Sequence, residues 1–382
     1  NVFAGIAARI RTYEHDALAP DQKGILLKVG ALELDAVGRP VTQDIWLPTQ
    51  PASLYGLVYA MDNVVTKLHH QETRDWMGHA VARYQGEFDV SHGGFLPQAV
   101  EIAEYAGHLG WLGISLRSRT YEFDSTKRLS DYHAPDALLS SEILDVNHDG
   151  VIDERDFLDG LIRSRMTNHV TGLFWQEWRD IAGRIRAKVN FGEDDQEETV
   201  EISHYRGVLG VLGLGYKSHT YLFVPGQRLP DYDPNAPVDA GGPLITSTLV
   251  KNPTLSTSQT ATQLSFVRPD GSLLFHYENH FTLRHWESVI NNRGLVEAKI
   301  TGRIEHGVFK RRMVELTTYR GILTVLGTGV EGRTYVYNPW FGLDLDLYRY
   351  HDRPFTSARL VDDRCDPVEG LRAINRQDGS IL

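Results

Sequence analysis

A single cysteine, Cys365, stands in a chain of 382 residues. No disulfide can form within the chain, so a hydrophobic core rather than covalent cross-links must hold the fold. Long apolar runs are missing too. The most apolar stretch, Gly207–Tyr216, is short and rich in glycine. It falls well short of the roughly 18–20 apolar residues that cross a membrane as a helix, so no membrane span is expected. Clustered positive charge is scarce. The longest basic run, Lys310-Arg311-Arg312, reads as a solvated turn, and the formal net charge is −11. A nucleic-acid binder usually carries a basic face, so nucleic acid is not an expected partner. The acidic run Glu193–Glu198 reads as an exposed loop between strands. The start at Asn1, without a signal-like segment, is what a processed or cut chain would show.

What is present is a globular composition, 41% hydrophobic and 23% charged. It can bury a core as one large domain or two to three smaller ones. The most informative feature is an internal repeat. Val100–Phe123, Val200–Phe223 and Val314–Tyr337 align without a gap. Of 24 positions, 13 are identical between the first two copies and nine in all three. The nine are Val100, Glu101, Tyr105, Gly107, Leu109, Leu112, Gly113, Thr120 and Tyr121 and their counterparts. The first two copies also match at Arg128-Leu129 and Asp131-Tyr132 against Arg228-Leu229 and Asp231-Tyr232.

Each copy has a similar preface. A helix is expected over Leu57–His70, Leu173–Ile185 and Thr282–Asn291, then a strand over Ala80–Val90, Ala187–Phe191 and Val296–Glu305. The repeat core then reads as strand, glycine-rich crossing, strand, because its residues alternate with period two. The glycines Gly107, Gly110 and Gly113, like Gly207, Gly210 and Gly213, are three apart. Close strand packing near a pseudo-threefold axis or at barrel corners would explain them. A phosphate cradle is the weaker explanation, since neither a Lys-Ser/Thr pair nor a helix start follows. The fold class read from this pattern is β-rich α+β, with three helix-plus-strands repeats in a barrel-like or pseudo-threefold assembly. Arg268–Ser272 predicts a hairpin between Gln263–Val267 and Leu273–Tyr277. A comparable turn, Ala36–Pro40, lies between Ile25–Leu34 and Val41–Leu47.

Between the first two copies the chain reads Asp145-Val146-Asn147-His148-Asp149-Gly150-Val151-Ile152-Asp153-Glu154-Arg155-Asp156. Side-chain oxygens fall at Asp145, Asn147, Asp149, Asp153 and Asp156, with the backbone carbonyl of Val151 between them. Gly150 sits where the chain must turn around an ion, and Ile152 is placed to anchor the loop in the core. A hard cation with six to eight oxygen ligands requires this spacing. The segment resembles the calcium loop of EF-hand proteins, and more closely the dockerin type, because it ends in Asp156 rather than Glu. The resemblance covers this loop alone. It implies Ca²⁺ ligation, with a shorter final carboxylate that weakens the site or admits Mg²⁺. Helices over Asp136–Leu144 and Asp156–Met166 would flank it. A lone loop, in a chain with only four methionines, stiffens structure rather than opening a Met-rich groove. Modest affinity suits an extracellular or periplasmic setting.

The expected division is therefore 1–135 as N-terminal segment and first repeat and 136–166 as calcium loop with flanking helices. Next come 167–233 as second repeat, 234–262 as linker, 263–352 as third repeat and 353–382 as tail. Candidates for chemistry are few. Glu101 and Tyr105 share a strand face and recur as Glu315 and Tyr319, and also as Glu201 and Tyr205. Such pairs could serve in acid–base chemistry, yet threefold recurrence favours structural hydrogen bonds. His92-Gly93 and His306-Gly307 match between copies one and three, and turn histidines are the favoured reading over an acid–base or metal site. The expected function is a calcium-binding protein holding a small molecule, lipid or sugar in a cavity or on one face. The alternative is an enzyme with one active site in a diverged repeat, using His and carboxylate acid–base chemistry.

Overall fold

A computed structural model of the chain describes residues 7–13, 26–45, 54–89, 94–149, 151–157, 159–192, 197–250 and 266–360. His92, Gly150 and Cys365 lie outside them, as do parts of the expected linker and tail. The described residues form 21 antiparallel strands and three short helices, in two compact units, Asn1–Phe174 and Trp175–Leu382.

The first unit holds β1 (Arg9–Tyr13), β2 (Leu26–Leu32), β3 (Thr42–Ile45), β4 (Leu54–Asn63), β5 (His69–Arg74), β6 (Ala80–Asp89), β7 (Gly94–Glu104), β8 (Arg117–Glu122), β9 (Leu139–Ile143) and β10 (Ile162–Asn168). From β4 to β10 each strand pairs with the next, while β1 pairs with β2 and β2 with β4. The second unit holds β11 (Phe174–Arg179), β12 (Ile185–Phe191), β13 (Glu197–His204), β14 (Lys217–Leu222), β15 (Ile245–Leu249), β16 (Leu273–Asn279), β17 (Arg284–Ile290), β18 (Val296–Glu305), β19 (Val308–Thr318), β20 (Glu331–Val336) and β21 (Thr356–Arg359). Each again pairs with the next.

Open antiparallel meanders thus replace the expected helix-plus-strands units and closed barrel. The stretches Leu57–His70, Leu173–Ile185 and Thr282–Asn291 are strands and tight turns. Asparagine side chains make the reversals: Asn63 Oδ1 accepts the N–H groups of Val65 and Thr66, Asn168 those of Val170 and Thr171, and Asn279 those of Phe281 and Thr282. One strand later, Asp75, Asp180 and Asn291 repeat the device. Such side chains compete with a helical ladder and favour turns. The expected strands at 80–90, 187–191 and 296–305 coincide with β6, β12 and β18, within one or two residues at their ends. The turn at 36–40 forms, closed by the antiparallel Leu34–Pro40 bridge and by the Asp35 N–H donating to the Arg39 carbonyl, while β2 and β3 themselves run end to end along β4. The turn at 268–272 forms, with a single bridge between Val267 and Leu273.

The repeat fixes both faces of the sheet. One face carries the rows Tyr84–Val100–Tyr121, Val189–Val200–Tyr221 and Ile300–Val314–Tyr335, all buried. A second tyrosine covers each row, Tyr132, Tyr232 or Tyr348, with ring centroids 5.1, 5.0 and 5.8 Å from Tyr121, Tyr221 and Tyr335. Each covering hydroxyl accepts a backbone N–H, from Asp124, Val224 or Asn338. Tyr348 lies on a helix, α3 (Leu345–His351), so the third copy keeps the device without the Arg-Leu-x-Asp-Tyr sequence. The opposite face carries Glu72–Arg83–Glu101–Thr120, Glu177–Lys188–Glu201–Thr220 and Ser288–Lys299–Glu315–Thr334.

The glycine triplets form neither an axis nor barrel corners. Gly107–Trp111 (α1) and Gly207–Val211 (α2) are single helical turns, and Gly321–Thr324 is a tighter one. A helix start does therefore follow the first glycine, although one turn is too short to hold an anion. The last glycine of each set, Gly113, Gly213 or Gly327, has φ of 75°, 76° or 71°. The next residue donates its N–H five residues back, as Ile114 does to Leu109, which is a Schellman stop. The middle glycine backs onto the repeat tyrosine. A Cβ on Gly110 would lie 3.3 Å from the Tyr105 carbonyl carbon. The third copy has Thr324 there, and its turn is the tighter form.

Candidate functional site

The acidic loop is the crown of the β9–β10 hairpin. The expected flanking helices are absent: Leu139–Ile143 and Ile162–Asn168 pair with each other, Ser164 opposite Ile143. Ile143 and Ile162 form an apolar cluster with Leu109, and Ile152 and Phe157 pack on it, as an anchored loop requires. Asp156, 1% exposed, closes the neck. Its Oδ1 accepts the Val146 N–H at 2.8 Å and its Oδ2 the Asp153 N–H at 2.9 Å. Asn147 accepts from Asp149, and Asp149 from Val151. Arg155 lies over the crown, with Nη2 at 3.0 Å from Asp149 Oδ2 and 2.5 Å from Asp153 Oδ2. Its hydrogen bond and charge hold the Asp153 carboxyl below the usual range. Among the described residues no three His, Cys, Asp or Glu side chains converge as a metal cluster. The donor set nonetheless suits a hard cation, which would have to displace the guanidinium from Asp149 and Asp153.

The repeated tyrosine hydroxyls bond to the main chain. Tyr105, Tyr205 and Tyr319 donate to the carbonyls of Ala80, Ile185 and Val296, at 3.3, 2.7 and 3.0 Å, and so tie the helical turn to the first residue of β6, β12 and β18. Glu101 meets Arg83 at 3.7 Å, and Glu315 stands opposite Lys299. His306 and Gly307, with φ of 52° and 77°, form the two-residue turn between β18 and β19. His92 falls outside the described residues.

Two polar networks were not singled out in the sequence. In the first unit Glu72, 4% exposed, meets His70 at 2.9 Å, Arg74 at 2.9 Å and Arg83 at 3.3 Å. Burial would push its carboxyl up, but the His70 hydrogen bond and the two guanidinium charges outweigh it and hold it at about 2. In the second unit His219, 3% exposed, has Nδ1 3.1 Å from Thr246 Oγ1. That oxygen is 2.8 Å from His280 Nε2, and His280 Nδ1 is 3.7 Å from Glu278. Burial, with the charges of Lys217, His204 and His280 nearby, pushes His219 down to about 4. The neutral ring can thus donate to Thr246 while Thr246 donates to His280. The spacing His276-x-Glu278-x-His280, running off the end of β16, was the available signal.

Two cavities lie beside these elements. One, about 470 Å³, sits between β7, β8 and the 129–134 segment, among Tyr105, Tyr121 and Tyr132. The other, about 830 Å³, lies on β17 and β18. The lysine-arginine run is not a turn: it lies in β19, with Arg311 paired to Glu287 at 2.6 Å and Arg312 to Glu305 at 2.9 Å. No helix of the described residues is long and apolar enough to cross a membrane. No protein-family model and no curated protein matches the chain.

Proposed function

We propose that this protein is a calcium-stabilised β-repeat scaffold that binds a small molecule, lipid or sugar, in an extracellular or periplasmic setting. The reading rests on the Asp145–Asp156 loop: oxygen donors at calcium-loop spacing, on a hairpin whose neck is closed by buried Asp156 and whose back is held by Ile152. An ion there would lock the hairpin rather than act on a substrate. Titration calorimetry should show one Ca²⁺ taken up per chain and a raised melting temperature. The pair Asp145→Ala and Asp149→Ala should remove both effects. Absence of any divalent-cation uptake by the native chain would sink the reading.

An enzyme is the second reading, and the Thr246–His280–Glu278 line favours it. His280 Nε2 is placed to take the Thr246 proton, and Glu278 stands near its other nitrogen, the order of nucleophile, base and orienting acid. An ester-hydrolysis assay decides: the native protein should turn over a nitrophenyl ester and His280→Ala should not. Equal rates from the two proteins would remove it.

A further inference from the structure

The cavity of about 830 Å³ in the second unit is lined by Arg284, His285, Lys299 and Arg303, and by no Asp or Glu. This is unusual in a chain of net charge −11. Among the described residues Arg284, Lys299 and Arg303 make no ion pair within 4.0 Å, although Lys299 has Glu315 across the ladder, whereas Arg311 and Arg312 on the neighbouring strand are both paired. Arg303 also stands directly opposite Lys310 across the β18–β19 ladder. Like charges facing one another across a ladder are destabilising unless an anion lies between or over them.

The arrangement is built into the backbone. The register slips between Thr301 and Gly302, and a Cβ on Gly302 would meet the Lys310 carbonyl oxygen at 2.2 Å, so glycine is required there. The bulge sends Arg311 to Glu287 on one face. It leaves Arg303 and Lys310 on the other, with Trp286 and Thr301. Trp286 forms a fixed wall. The Tyr277 ring lies parallel to it at 5.1 Å, from β16, and Lys299 Nζ lies 5.6 Å from its ring, from β18. Tyr277 and Lys299 therefore both crowd the indole. A nucleobase needs a free aromatic face to stack on, which speaks against nucleotides and single-stranded nucleic acid. What remains is recognition by separated positive charges and by the hydroxyls of Thr282 and Thr301, over an open surface.

We propose that this cavity binds an acidic oligosaccharide, with carboxylate or sulfate groups held by Arg284, Lys299 and Arg303. The assignment deepens the ligand-binding part of the proposed function and rests on it. Calorimetry on the full chain tests it, with a galacturonic-acid tetrasaccharide, a sulfated tetrasaccharide, neutral maltotetraose and pyrophosphate as probes. At least one acidic sugar should bind, with the neutral one at least about tenfold weaker. The double change Arg284→Gln and Arg303→Gln should weaken binding about tenfold or more without lowering the melting temperature, since it also relieves the Arg303–Lys310 repulsion. In the unaltered protein, raising NaCl from about 50 to about 500 mM should do the same, because exposed charges are screened. Equal binding of the neutral sugar, indifference to salt, or pyrophosphate bound as tightly as the acidic sugars would overturn the assignment. Calcium uptake is read in the same samples. Sugar binding without it overturns the calcium loop alone, and calcium uptake without sugar binding overturns this site alone.

Discussion

The last glycine of each triplet is required by conformation. Gly213 holds φ of 76° at the end of α2, where any side chain meets its own carbonyl. Gly213→Ala should cost about 1–2 kcal/mol in urea unfolding. Gly210→Ala should be near neutral. Its added Cβ would lie 3.3 Å from Tyr205 Cβ, a tight contact offset by the better helix propensity of alanine. At this scale the sequence was only partly legible. Recurrence marked Glu101 and Tyr105 as equivalent positions in the three copies. The partners themselves, the carbonyls of Ala80, Ile185 and Val296, were hidden because main-chain acceptors leave no residue-type signal.

Among the elements, the β9–β10 hairpin has the most exposed chemistry. Its crown holds a guanidinium on oxygens that the proposed divalent ion would need, so Arg155 and calcium would compete for Asp149 and Asp153. Arg155→Gln should tighten calcium binding, by roughly threefold to tenfold given the modest worth of exposed ion pairs. Isothermal titration at fixed pH measures it, and unchanged affinity would place the ion elsewhere. The loop was readable as a loop because its turn-forming residues are local. Its flanks were not: Asp136–Leu144 and Asp156–Met166 offer capping residues and apolar positions that suit a short helix, and only pairing with each other makes them strands. The prefaces to the repeats failed for a related reason. Asn63 and Asn279 end a strand with one side chain and turn through Lys67 and Leu283 at positive φ, without the glycine or proline that usually marks a turn, and only the Asn168 turn has a glycine, Gly172, there.

For the whole molecule, the two networks predict how acid unfolds it. His219 is held at about 4 in the fold against an ordinary 6.5. Above pH 6.5 both folded and unfolded rings are neutral. Between 6.5 and 4 only the unfolded ring gains a proton, so stability of the second unit falls as pH drops through that window. Burial also lowers His276 and His204, which adds in the same direction. Glu72 is held at about 2 against 4.5. Its contribution is complete above pH 4.5 and is lost between 4.5 and 2, in the first unit. Calorimetric scans from pH 7 to pH 3 should therefore show the second unit losing stability first, by on the order of 2 kcal/mol at pH 4. His219→Gln should flatten that early loss, and a single transition with unchanged pH dependence would count against it.

The strand-by-strand pairing has a consequence for synthesis. From β11 to β21 each strand pairs with the one made just before it, and closure entropy grows only slowly with length even where the connections before β15, β16 and β21 are long. The second unit can be laid down on its own growing edge as the chain leaves the ribosome. The first unit departs from this at one place, where β2 must stay unpaired on its inner side until β4 has been made.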